Sequence, residues 1–152
     1  MRQLAIAFVT ALAVFLSACG SGNSNNASNV NGNWTASLTD PNGNPVFSLT
    51  TSLTQNSDNS LTVANLNFTT ATPCFGAGTT ATGGIVASGN FSGVVNSAFT
   101  LSIQSGQPGT SGNNVLNLQG TVANGNAITG TWVLTGTTSG CTGSGNFTMT
   151  RI

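Results

Sequence analysis

Side chains that can attack, titrate or coordinate are few in this 152-residue chain. Cys19, Cys74 and Cys141 are its thiols, Asp40 and Asp58 its acids, and Arg2 and Arg151 its bases; histidine, lysine, glutamate and tyrosine are absent. General acid–base catalysis needs a group that titrates near neutrality or a pair of carboxylates. Asp40 and Asp58 instead sit in two separate turn sequences, Asp40-Pro41-Asn42-Gly43 and Asn56-Ser57-Asp58-Asn59. A serine nucleophile would have no base to activate it. Two cysteines without histidine fall short of the four ligands of a structural zinc site, and neither aspartate turn has calcium-loop spacing. One arginine beyond the N-terminal region cannot supply the basic footprint that displaces counterions from nucleic acid. The expectation is a protein that is not an enzyme, with no cofactor, no metal and no nucleic-acid partner.

The thiols therefore need another use. Cys19 lies in Leu16-Ser17-Ala18-Cys19-Gly20, on the boundary between an apolar run and a polar one. Before it stand a charged start, Met1-Arg2-Gln3, the apolar segment Leu4 to Leu16 and two small residues. That is the layout of an export signal. As a helix the apolar segment spans roughly 20 Å, short of the ~30 Å hydrocarbon core. Leu16-Ser17-Ala18-Cys19 resembles the lipobox of bacterial lipoproteins at every position. The resemblance implies a signal peptide over 1–18, cleavage before Cys19 and acylation of its thiol. Two or three acyl chains anchor a protein durably, at ~0.8 kcal/mol per buried methylene. Because Gly20 and not aspartate follows the cysteine, the resemblance also implies the outer membrane of the cell envelope. With Cys19 carrying lipid, Cys74 and Cys141 remain as a pair in a compartment where disulfides persist, and a Cys74–Cys141 bridge is expected.

Residues 19–32, rich in serine, asparagine and glycine, read as the lipidated cysteine and a flexible tether with a reach of about 20 Å. The folded domain is expected over 33–152. There, apolar residues recur with period two and helix-period signals are missing. Eight strands are expected: 33–39, 45–54, 60–68, 84–95, 98–104, 114–122, 126–135 and 146–151. In the third, apolar parity changes between Leu61, Val63 and Ala64, Leu66, Phe68, which suggests a bulge. Asn, Gly and Pro between the strands supply turn conformations. The sheet has no lysine or glutamate to defend an exposed edge, so closure is the economical protection. The fold class expected is all-β, an eight-stranded antiparallel up-and-down barrel, with a β-sandwich as the alternative.

Glycine stands two residues before an aromatic in Gly32-Asn33-Trp34, Gly89-Asn90-Phe91, Gly130-Thr131-Trp132 and Gly145-Asn146-Phe147. The simplest reading is relief of crowding where a ring crosses a neighbouring strand. Gly32-Asn33-Trp34 at the first strand, with Arg151 near the end of the last, also resembles the signature of lipocalin-like (calycin) barrels. That resemblance implies that Arg151 lies across Trp34 and plugs one end of the barrel.

In an eight-stranded meander, alternate connections share an end. Loops 69–83, 105–113 and 136–145 fall together, bringing Cys74 and Cys141 to one rim, while both chain termini lie at the other end. Long loops on a rigid scaffold are where binding usually resides, so Phe75, Gln107 and Ser139 are the candidate contact residues. Phe75 has a second reading, packing on the disulfide or topping the core. The function expected is a membrane-anchored, non-catalytic structural or interaction module of the envelope, meeting an envelope protein or glycan at the long-loop end. The alternative is a lipocalin-like barrel holding a small apolar or glycan ligand. The number of large inward side chains favours a filled interior.

Overall fold

A computed structural model describes residues 28–70, 72–75, 84–105 and 114–152. Residues 1–18 and Cys19, expected to be a signal peptide and a lipidated cysteine, most of the expected tether and Gln107 lie outside the described residues. Eight strands follow one another: β1 Gly32–Thr39, β2 Pro45–Gln55, β3 Ser60–Phe68, β4 Ile85–Phe91, β5 Ala98–Ser105, β6 Val115–Val122, β7 Ala127–Thr135 and β8 Gly143–Arg151. Each pairs antiparallel with the next, and β8 pairs with β1, so the sheet is a closed barrel. Closure leaves no free outer edge of the sheet to template aggregation.

The period-two pattern explains the walls. Trp34, Ala36 and Leu38 of β1, Phe99, Leu101 and Ile103 of β5, and Phe147 and Met149 of β8 are buried inside, while Thr35, Ser37, Thr148 and Thr150 between them face water. This apolar-in, polar-out alternation is the reverse of a membrane-spanning barrel, whose apolar band faces lipid.

The bulge read from the parity change is present. Ser52 pairs with Ala64 and Thr50 with Asn67, so two residues of β3, Asn65 and Leu66, oppose Thr51 alone. Asn65 takes φ 52°, a left-handed conformation that asparagine tolerates better than most residues.

The glycine–aromatic echo is also resolved in register. β7 and β8 run past each other so that Gly130 faces Phe147 and Trp132 faces Gly145. A Cβ at Gly145 would meet the Trp132 indole and fall on the Thr39 carbonyl oxygen, and the Phe147 ring reaches across β7 towards Gly120 of β6. Each ring thus lies over the other motif's glycine.

Three boundaries differ from the sequence expectation by more than one residue. β4 ends at Phe91 rather than at 95, because Gly93 and Asn96 both have positive φ and turn the chain early. β8 begins at Gly143 rather than 146, since its glycines carry no alternation signal. Packing against the barrel begins before residue 33. Val30 is fully buried, Ser28 donates its amide to the Gly93 carbonyl at 2.9 Å, and Asn31 Oδ1 accepts from the Gln55 amide at 2.6 Å.

Candidate functional site: the disulfide rim

The two ends of the barrel differ in construction. At the end where β1 begins and β8 ends, Trp34 donates its indole N–H to the Val30 carbonyl at 2.8 Å. The Arg151 guanidinium lies over the Trp34 ring, 5.2 Å from its centroid, and donates to the Asn29 carbonyl. Arg151 neighbours Trp34 across the β1–β8 ladder, which puts both side chains on the inward side. A cation–π contact of this kind contributes about 0.5–2 kcal/mol. Together with the docked residues Ser28–Asn31, it closes this end.

The opposite end carries the long loops. Cys74 and Cys141 are bridged, with their Cα atoms 5.5 Å apart and 67 residues between them in sequence, and both are buried. Each thiol is aimed by its own turn. The Cys74 amide donates to Thr72 Oγ1 at 3.2 Å; the Cys141 amide donates to the Thr138 carbonyl at 3.0 Å, past Gly140 at φ 79°. Residues 72–75 therefore tie the β3–β4 connection to the β7–β8 loop.

Asn114 joins a third loop to the same point. Its Nδ2 donates to the Cys74 carbonyl at 2.7 Å and to Thr138 Oγ1 at 3.1 Å, and its side chain is 2% exposed. The sequence reading missed it, although Asn114 lies two residues before Leu116 on the inward face of β6. Its buried Oδ1 has no partner among the described residues.

Of the contact residues expected at this rim, the structure separates two. Ser139 is exposed at the tip of the β7–β8 loop. Phe75 is not available on the surface: it is 4% exposed and stacks on Phe68 with centroids 4.6 Å apart and planes 11° from parallel. Burial of an aromatic ring outweighs its presentation to water, and of the two readings of Phe75 the packing one describes its position. Phe68 meets Phe47 edge-on at 6.1 Å, and Phe47 meets Trp132 at 5.8 Å, while Trp132 donates its N–H to the Thr39 carbonyl at 2.8 Å. This row of rings packs together at the rim end of the barrel. Pro73, beside the disulfide, remains exposed.

The acids are structural parts of turns. Asp40 Oδ1 accepts the amides of Asn42 at 2.8 Å and Asn44 at 2.9 Å, and Oδ2 accepts the Asn44 side-chain N–H at 2.8 Å. The Asn44 side-chain amide and then its backbone N–H hold the Asp40 carboxyl below its ordinary value. Asp58 Oδ1 accepts the Ser60 hydroxyl at 2.6 Å and amide at 3.0 Å, which lower its pKa in the same way. Asp40 caps the β1–β2 turn at the rim, and Asp58 the β2–β3 turn at the other end. Among the described residues no cluster of three potential metal ligands occurs. Beside the cross-link, Asp40 is the charged side chain that the described residues bring to the rim.

No protein-family model matches the chain, nor does any curated protein or solved structure.

Proposed function

We propose that this protein is a lipid-anchored component of a bacterial cell envelope, attached through Cys19, that acts without catalysis by presenting its disulfide rim to an envelope protein or glycan. The Leu16-Ser17-Ala18-Cys19 sequence supports the anchor, and Gly20 after it supports the outer membrane. The observation that carries the contact surface is the asymmetry of the barrel: the chain enters and leaves at the end closed by Val30, Trp34 and Arg151, while Cys74–Cys141 stiffens loops at the far end. A tether on the first end points the second away from the lipid. Exposed Pro73 and Ser139, with Gln107, form the proposed contact set.

Site-specific photo-crosslinking in the native envelope tests this. A crosslinker at Ser139 or Pro73 is expected to capture a discrete partner, and one at Asp58 or Asn124 is expected to capture none. Capture from Asp58 and Asn124 alone would overturn the assignment, as would release of wild-type protein from membranes without any change in the Cys19→Ala variant.

The second reading, a lipocalin-like barrel holding a small ligand, draws support from the Arg151–Trp34 contact. Against it stand the rings of Phe47, Phe68, Phe75 and Trp132, which occupy the mouth such a ligand would enter.

A further inference from the structure

The β3 bulge does more than bend a strand. Between the pairs Ser52–Ala64 and Thr50–Asn67, it opens a depression of about 320 Å³ on the outer wall, lined by Asn33, Thr50, Ser52, Asn65 and Ile152, with the buried Trp34 and Thr51 completing it. That volume is at the low end of the ~300–1,000 Å³ range of small-molecule sites, with room for one or two sugar rings.

Its chemistry is specific. Ser52 Oγ donates to Asn33 Oδ1 at 2.6 Å, and Asn65 Nδ2 reaches Ser52 Oγ at 3.4 Å. This chain of bonds links the three side chains through Asn33 Oδ1 and Asn65 Nδ2, and it does not use Asn33 Nδ2 or Asn65 Oδ1; both residues are exposed. A carboxamide that offers donor and acceptor together suits vicinal hydroxyls. The side chains of the lining carry no charge, so nothing among them would balance an anion. Ile152, 73% exposed, offers an apolar surface for the C–H face of a sugar ring.

Asn65 is the second, independent indication. A bulge with a left-handed first residue ordinarily takes glycine there, and among the described residues glycine occupies five other positive-φ positions. Of the described asparagines of positive φ, Asn59 and Asn96 lie in turns between strands and Asn65 lies within one. A left-handed residue inside a strand and in the lining of a depression is an outlier of the kind that marks binding sites.

We propose that the Asn33–Ser52–Asn65 wall is a binding site for a short neutral glycan, separate from the disulfide rim and not dependent on it. The test is an NMR titration of the ¹⁵N-labelled full chain in detergent micelles, with maltose and with N,N′-diacetylchitobiose as probes. Saturable shifts are expected at Asn33, Ser52 and Asn65 with at least one probe. Asn65→Gly keeps the bulge conformation and removes the amide. It is expected to weaken that binding roughly tenfold, the loss of one well-made hydrogen bond, with the unfolding midpoint unchanged or raised. Absence of saturable shifts at these residues with both probes, or undiminished binding by Asn65→Gly, would overturn the proposal. Crosslinking from Ser139 reads the rim separately, so either assignment can fail while the other stands.

Discussion

Reduction of Cys74–Cys141 is the perturbation whose size follows most directly from the architecture. The bridge closes a ring of 67 residues. In the chain-entropy treatment a ring of that length restricts the unfolded chain by about 4 kcal/mol at 25 °C. Whole domains are stable by only about 5–15 kcal/mol, so the bridge carries a large share. A body of this length unfolds with an entropy near 0.25 kcal/mol/K, which converts the loss into a fall of roughly 15 °C in the thermal midpoint. The weakness is local as well as global. Among the described residues β3 and β4 share the two ladder pairs Ser60–Asn90 and Leu61–Gly89, whereas β4 pairs with β5 along its whole length, from Ile85 to Phe91. The disulfide sits on the connection that spans this seam. Circular dichroism melts of oxidised and reduced wild type, alongside Cys74→Ala/Cys141→Ala, measure the first effect. Hydrogen exchange measures the second, with protection falling first in β3 and β4. A midpoint change under about 3 °C, or exchange that accelerates equally in β6 and β7, would refute the reasoning.

Three further outcomes are expected. Stability is independent of pH between about 5 and 9, because no side chain of the body titrates there. Asp40 and Asp58 have folded pKa values below their unfolded ones, so the stability they contribute is complete above about pH 4 and lost as pH falls through the lowered folded values; calorimetric midpoints across that range check it, and a slope near neutrality contradicts it. Gly145→Ala places a methyl on the Thr39 carbonyl and against the Trp132 indole, and is expected to cost at least about 3 kcal/mol in urea unfolding, at the upper end of overpacking penalties; a loss under 1 kcal/mol would contradict the packing described. Arg151→Ala removes the contact over Trp34 and the bond to Asn29, at a cost of about 1–2 kcal/mol. Arg151→Lys should recover less than half of it, because an ammonium lacks the planar fork.

The barrel was legible because its signals are one-dimensional. Alternation assigns Trp34, Ala36 and Leu38 to one face, and a slip of one residue would turn them all outward. The parity change in β3 revealed a bulge for the same reason. Counting connections placed Cys74 and Cys141 at one rim, which the bridge bears out. Where side chains gave no alternation, the reading failed. Gly143 and Gly145 hid the start of β8, and Val94-Val95 carried the pattern past the true end of β4, where φ at Gly93 and Asn96 had already turned the chain. Val30 was lost within a serine- and asparagine-rich run, although its burial closes an end of the barrel. Phe75 and Asn114 show the same limit from another side. Whether a loop ring faces solvent or stacks on Phe68, and whether an asparagine clamps the Cys74 carbonyl, depends on residues far away in sequence.

Native mass spectrometry of the protein drawn from its own envelope reaches the central claim most directly. The account predicts a chain that begins at Cys19, bears the mass of its acyl groups, and holds no apolar molecule inside the barrel. A chain that begins elsewhere without lipid, or a tightly retained apolar adduct of several hundred daltons, would contradict it.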